Sequence, residues 1–181
     1  MWGWIVEGEW FEVKVEKIIN RIKENKECKL INRKKRIDTN LRLPNDLKYF
    51  YEHYDSLEMF IDNPFGMRIV PLKDLVVTNN QLYSKDDVIW DELEGDISNK
   101  WYIIAEAEQL GQYVSIELGD KHFGYCYDSN HETHANPGYC QVIAKSFSEF
   151  LERLYECQGE GTTWFWLEED YPDYGDAYDK R

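Results

Sequence analysis

Four residues between positions 126 and 140 have the types that bind metal ions. They are Cys126, His131, His134 and Cys140, separated by four, two and five residues. Zn²⁺ takes Cys and His ligands, but a structural zinc site normally brings a pair of cysteines within about two to four residues on one short turn. The two cysteines here stand at opposite ends of the segment, so the pattern favours a polar loop between two strands. We predict no metal ion and no other cofactor.

The chain shows no recognisable set of residues for nucleophilic catalysis. It lacks a G-x-S-x-G nucleophile elbow, a P-loop and a G-x-G-x-x-G dinucleotide loop. Cys126 could meet His122 or His131 in space, but any chain with four cysteines and four histidines offers such pairs. The 35 carboxylates contain no pair that is singled out for acid–base catalysis. We therefore predict that the protein is not an enzyme. A small metal or thiol enzyme that uses Cys126, His131, His134 and Cys140 is one alternative.

The formal net charge of −14 restricts the class of partner. Nucleic-acid binding needs a basic surface that displaces counterions from phosphate, so the charge argues against it. A basic protein partner is compatible with the charge, and so is acidity that serves solubility alone. No apolar run is long enough to cross a membrane. Residues 1–7 lack the basic and apolar regions of a signal peptide, and the four cysteines form no C-x-x-C pair, so we expect reduced thiols and a cytoplasmic location.

Charge divides the chain into a basic start, an acidic body and an acidic end. Residues 12–36 hold ten Lys and Arg against four Glu, residues 37–157 hold nine against 22 carboxylates, and residues 158–181 hold two against seven. The basic run at 33–36 has the composition of a nucleic-acid or targeting motif. A solvated loop is the prediction, because the acidic remainder repels phosphate. We predict a domain over residues 1–157 and an aromatic, acidic extension over 158–181.

Acidic residues are concentrated in two segments that also hold aromatic side chains, 86–96 and 168–179. Aromatic contacts ringed by carboxylates suit an interface with a basic protein, because the aromatic groups supply the desolvated contact and the charges steer the encounter. The alternative is that Trp90 and Trp164 are core residues and the charges only hydrate the surface. The residues that we predict to contact a partner are Asp86, Asp87, Trp90, Asp91, Glu92, Glu94 and Glu117.

Three helices are predicted from apolar residues that recur at helical spacing. They cover residues 11–26, with Phe11 on the apolar face, residues 43–55, and a segment that starts at Ser146 and is ended by Gly159 and Gly161. Pro44 suits the start of the second helix, and Asp46 lies in its first turn, where the helix dipole favours a carboxylate. Ser146 and Glu149 have the spacing of a capping box at the start of the third helix.

Short apolar runs predict the strands. They lie at 57–61, 67–70, 101–105, 112–118, 123–127 and 139–144, with a short helix at 72–76 and a polar, acidic segment at 81–98. Residues 112–118 alternate with a period of two, which predicts a strand with one face in water. Helices come first, then a run of strands, then a helix, and this order indicates a single-domain α+β fold with a mainly antiparallel sheet.

Several of these motifs, taken in order, resemble the SUKH superfamily. They are the helix L-P-x-D-L-x-x-F-Y-x-x-Y-D at 43–55, a strand pair through Gly66, P-L-x-x-L at 71–75, a strand from Trp101, G-Y-C-Y-D at 124–128, and the capped helix from Ser146. The resemblance covers about residues 10–157. The Trp-rich residues 1–10 and the segment after Gly159 match no part of the family pattern.

The resemblance implies a bent, largely antiparallel sheet flanked by helices, and no enzymatic activity. This superfamily takes in yeast regulators of cell-wall synthesis and many bacterial immunity proteins, which bind a cognate toxin, often a nuclease, and block it. We therefore expect an antitoxin that neutralises a basic toxin of a polymorphic toxin system by occlusion. A non-enzymatic regulatory scaffold that binds a cellular protein is the alternative.

Overall fold

The computed structural model describes residues 7–179, with side chains described from residue 14 onward except at residue 108. The Trp-rich segment 1–6 and the side chain of Phe11 lie outside this range. The helices are α1 Glu7–Glu24, α2 Asn45–His53, α3 Thr78–Leu82, α4 Ile89–Glu92 and α5 Phe147–Cys157. The strands are β1 Cys28–Asn32, β2 Tyr54–Met59, β3 Met67–Ile69, β4 Trp101–Ala107, β5 Gln112–Glu117, β6 Cys126–Asp128 and β7 Val142–Ala144.

The strands form one seven-stranded sheet in which neighbours in sequence are neighbours in space. All pairings between adjacent strands are antiparallel. The predicted α+β class is therefore confirmed. The edge strand β1 was not predicted, because its five residues are only partly buried and show no clean alternation. The segment predicted as a helix at 72–76 is a single 3₁₀ turn, Leu72–Asp74.

Helices α1, α2 and α5 cover one face of the sheet. The apolar stripe of α2 enters this core, with Leu47, Phe50 and Tyr51 fully buried. The Tyr51 hydroxyl donates to the backbone oxygen of Val70 at 2.9 Å, which ties the helix to the residue after β3. The Phe50 ring meets the Phe147 ring of α5 edge-on at 5.3 Å. The helix predicted at 43–55 therefore packs through its apolar stripe, but it ends at His53, and Tyr54 and Asp55 already belong to β2.

The other face of the sheet is covered by irregular segments, and this corrects the prediction of a solvent-exposed face on β5. All six residues of β5 are buried. Thr78 at the start of α3 shares a hydrogen bond of 2.7 Å with Ser115, and Ser115 shares another of 2.7 Å with Ser129. Alternating polar residues on this strand therefore face a buried hydrogen-bonded layer instead of water, which period-two alternation alone cannot distinguish.

The C-terminal segment 164–179, here called the strap, crosses the last strands and joins both cores. Trp164 and Trp166 belong to the main core, and Ala177 belongs to the core on the second face. The Trp166 indole donates to the Asp128 carboxylate at 2.8 Å, and the Tyr174 hydroxyl donates to Glu149 of α5 at 2.6 Å. The aromatic residues of the strap are thus packed against the sheet and α5 and contribute to the hydrophobic core, while its carboxylates at 168–170 are exposed.

The capped start of α5 is present in a modified form. The Ser146 hydroxyl accepts from the Glu149 backbone at 3.1 Å, as the capping box requires. The Glu149 carboxylate accepts from the backbone N–H of Lys145 at 2.9 Å, one residue earlier than in the standard motif.

Within residues 7–179 no helix combines the length and the apolar character needed to cross a bilayer.

Candidate partner-binding surface

Residues 84–96, here called the acidic loop, hold six carboxylates against one lysine. The side chains of Asp86, Asp87, Asp91, Glu92 and Glu94 are all exposed, as predicted for a charged surface. Two contacts hold the loop in shape. The Asp87 carboxylate accepts from the backbone N–H of Ile89 at 3.0 Å, and the Trp90 indole donates to the backbone oxygen of Ser84 at 2.8 Å.

The acidic loop is fastened to the second face of the sheet through Tyr83 and His134. The Tyr83 ring meets the Trp90 ring edge-on at 6.4 Å, and its hydroxyl donates to the backbone oxygen of His134 at 2.9 Å. The ring of His134 is bonded through Nε2 to the side-chain oxygen of Asn79 at 2.8 Å. Trp90 is half-buried, so it supports the loop while part of its ring remains accessible.

The strap continues the acidic surface beyond the acidic loop. The Tyr178 hydroxyl donates to Asp96 at 2.9 Å, and the same Asp96 oxygen accepts from the Ser98 backbone at 2.8 Å. Asp176 accepts from the backbone N–H of Cys140 at 2.8 Å. The loop at 129–139 is therefore bonded to both acidic segments. We call the exposed face of these three segments the acidic surface.

Glu117 lies apart from this exposed group. Glu117 is only 5% exposed. Its carboxylate accepts from the Tyr127 hydroxyl at 2.7 Å and from the backbone N–H of His122 at 3.2 Å. Burial, and then the neighbouring carboxylate, raise the pKa of Tyr127. The structure thus brings six of the seven predicted contact residues together and places Glu117 inside the fold.

The structure separates Cys126, His131, His134 and Cys140, the four residues whose types can bind a metal ion. Cys126 belongs to the core beneath the helices, whereas Cys140 belongs to the core on the second face. His131 is exposed at the Gly111 turn, with Nδ1 3.1 Å from the Gly111 oxygen. Within the part of the chain described, no group of three or more His, Cys, Asp or Glu side chains could hold a metal ion.

The buried thiols are poor nucleophiles in this fold. Desolvation raises the pKa of Cys126 well above its ordinary value and raises the pKa of Cys140 to about 12. A catalytic cysteine needs the opposite shift, because the thiolate is the reactive form. These environments favour inert, structural thiols.

A cleft of about 570 Å³ opens where α2 and α5 begin. Its charged groups are already paired within the protein. Arg42 lies over the Phe123 ring at 4.4 Å and 3.1 Å from Asp120, and Lys145 lies over the Tyr174 ring at 4.6 Å. The cleft therefore presents no free pair of acid and base.

His134 makes the stability of the acidic surface depend on pH. Its residue is 2% exposed, and burial lowers its pKa from 6.5 to about 4. Below pH 6.5 the imidazole of His134 binds a proton in the unfolded chain but not in the folded chain. The contribution of His134 to the free energy of unfolding is therefore complete above pH 6.5 and is lost as the pH falls toward 4. Between pH 7.5 and 5.0 we expect this residue to remove about 2 kcal/mol of the free energy of unfolding. Urea denaturation at the two pH values measures the loss.

The variant His134→Gln supplies the control for this pH dependence. Glutamine does not titrate. The free energy of unfolding of this variant should therefore fall less between the two pH values than that of the unaltered chain. Buried Asp46 and Asp128, whose pKa values are raised by desolvation, act in the opposite direction in both proteins and cancel in the comparison. Equal pH dependence in the two proteins would contradict the assignment to His134.

The residues that hold the acidic surface together were not predicted from sequence. They are Asn79, Tyr83, Asp96, His134 and Tyr178. Their partners lie 19 to 82 positions away in the chain. A local pattern carries no signal for such contacts. The one available signal was compositional, in the tyrosines that alternate with carboxylates through residues 171–179.

Comparison with known proteins agrees with the architecture. The sequence pattern of the SMI1/KNR4 family (SUKH-1) matches residues 34–153. The chain is also similar to "Immunity protein YokJ" of Bacillus subtilis (strain 168), with 34% identity over 168 residues that cover 91% of this chain and 96% of that protein. The second match extends beyond the family pattern at both ends.

Proposed function

Because this chain belongs to the SMI1/KNR4 family (SUKH-1), we propose that it is an immunity protein that binds a cognate toxin and neutralises it. The observation that carries this proposal is the similarity to an immunity protein across nearly the whole of both chains. The structure adds a compatible binding mode, because an exposed acidic surface is held rigidly against the sheet. Binding needs no chemistry from this chain, which agrees with its buried, protonated thiols.

The charge of the acidic surface supports a basic toxin as the partner. A nuclease is the class that fits best, since it must hold phosphate in a positively charged site. Exposed carboxylates can cover such a site and steer the encounter by long-range attraction. We propose that Asp86, Asp87, Trp90, Asp91, Glu92 and Glu94 make this contact. The acting compartment in this proposal is the cytoplasm, where an incoming nuclease meets its substrate.

The test is co-expression with the product of the adjacent gene, which this proposal expects to be the toxin. Induction of the toxin alone should stop growth, and simultaneous expression of this chain should restore it. The two purified proteins should also form a complex that survives gel filtration. A toxin that is neither bound nor neutralised would count against the proposal. Where the toxin is a nuclease, loss of nucleic-acid cleavage on addition of this chain in equimolar amount supports occlusion of its active site.

A further inference from the structure

We infer that the acidic surface is a single composite interface for a basic protein, in which Val88 and Tyr139 are the apolar contacts and the strap is a structural part. This inference rests on the proposed function and extends it. The sequence names contact residues only within 86–94 and at Glu117, although both acidic segments, 86–96 and 168–179, have the composition of an interface. The composite interface adds the loop at 129–139 and gives the strap a structural role in it.

Val88 and Tyr139 are large apolar side chains that the fold leaves in water. Val88 is 82% exposed and Tyr139 is 62% exposed, the two highest exposures among the large hydrophobic residues described. Each stands among carboxylates, since Val88 follows Asp87 in the acidic loop and Tyr139 precedes Cys140, which is bonded to Asp176. Exposed apolar groups rimmed by charges are the composition of an interface core, where a desolvated contact contributes most of the affinity.

Hydrogen bonds make the three segments one rigid unit. Tyr83, the residue before the acidic loop, packs against Trp90 of the loop and donates to the His134 backbone at 2.9 Å, and Tyr178 joins the strap to Asp96 at 2.9 Å. The strap is itself held by two further hydrogen bonds, from Trp166 to Asp128 of β6 and from Tyr174 to Glu149 of α5. A surface that is ordered before binding loses less conformational entropy in the complex, so a larger part of the contact energy remains as binding free energy.

Charge complementarity identifies the kind of partner. Residues 84–96 and 168–179 together hold twelve carboxylates and one lysine. The partner must therefore present Lys and Arg around an apolar depression that accepts a valine and a tyrosine. A nucleic acid is excluded because its phosphates would be repelled. A basic protein with an active-site groove combines both properties.

Three substitutions test the composite interface against the toxin identified by the co-expression experiment. Val88→Ser and Tyr139→Ala each remove an exposed apolar group, and each should weaken binding by about tenfold or more. Tyr178→Phe removes only the hydroxyl that links the strap to Asp96, and it should weaken binding by about threefold. Isothermal titration calorimetry gives the dissociation constants, and thermal melting shows that each variant is folded.

The matched control is Ile61→Ser, which removes an apolar side chain that is 53% exposed at the turn after β2. Its affinity should equal that of the unaltered chain. If charge changes in the acidic loop weaken binding while Val88→Ser, Tyr139→Ala and Tyr178→Phe do not, the composite interface is wrong and the proposed function stands. If the unaltered chain does not bind the toxin, both are wrong. Uniform weakening that includes Ile61→Ser also overturns the inference, because binding would then not depend on this surface.

Discussion

Exchange of Asp87, Asp91 and Glu92 for lysine is expected to slow association with the toxin by about 10- to 100-fold at low ionic strength. All three side chains are exposed, so the reversal changes the field toward solvent without altering the core. Long-range attraction between an acidic and a basic protein raises the encounter rate, and reversed charges repel. The effect should shrink as salt is added, since charges more than about 8 Å apart are largely screened at physiological ionic strength. Stopped-flow association rates at a series of salt concentrations measure it.

Two control proteins separate charge from structure in this experiment. The Asp87 carboxylate also accepts from the backbone N–H of Ile89, the first residue of α4, so Asp87→Asn keeps an oxygen acceptor while removing the charge. Glu24→Lys makes the same reversal at the exposed C-terminal end of α1, among the helices that cover the other face of the sheet. Glu24→Lys should leave the association rate close to that of the unaltered chain at every salt concentration. An unchanged rate in the triple variant would show that the acidic loop is not the steering surface.

Removal of the Asp46 side chain is expected to lower the free energy of unfolding by about 3 kcal/mol or more. Asp46 lies in the first turn of α2, and one oxygen accepts from the backbone and the hydroxyl of Ser148 at 2.8 and 3.0 Å. The other oxygen accepts from the backbone N–H of Leu47 at 2.9 Å. A single carboxylate therefore faces the positive ends of both α2 and α5. Asp46→Ala would leave the buried donors of Ser148 unpaired, which costs more than the loss of an exposed bond.

Urea denaturation of two Asp46 variants measures this contribution. Asp46→Asn retains one acceptor oxygen and should lose less stability than Asp46→Ala. Burial raises the pKa of Asp46 although its hydrogen bonds lower it, so the neutral amide avoids the cost of desolvating a charge. Ser146→Ala removes the ordinary N-cap of α5 and should cost about 1 kcal/mol, as a reference. A loss below that reference in Asp46→Ala would contradict the bridging role.

The sequence predicted the parts of the fold that depend on local spacing. Helices α2 and α5 were found because their apolar stripes and start signals lie within a dozen residues, and both stripes are buried. The order of helices and strands was sufficient for the α+β class. The motifs at 43–55 and 124–154 were sufficient for the family, since they are local sequences that pack in a common way.

The candidate site was only partly predictable. Exposed carboxylates in the acidic loop follow from composition, because a run of charges with few apolar residues cannot be buried. The same reasoning was wrong for Glu117, which is buried because its carboxylate is bonded to Tyr127 of the adjacent strand. Trp164 and Trp166 gave no indication of which strands they would cover. Their place in the main core is set by contacts with residues that are far away in sequence.

The sequence by itself therefore determined the fold class, the family, the two principal helices and the sign of the charged surface. Each of these follows from residue type and from spacing within one element. Only the tertiary structure decided that Asp46 accepts hydrogen bonds from the first turns of two helices, that both faces of β5 are buried, and that the strap joins the acidic loop through Tyr178 and Asp96. The physical reason is the same in all three cases. A hydrogen bond or a buried contact depends on distance in space, and residues 82 or 102 positions apart reach that distance only when the chain has folded.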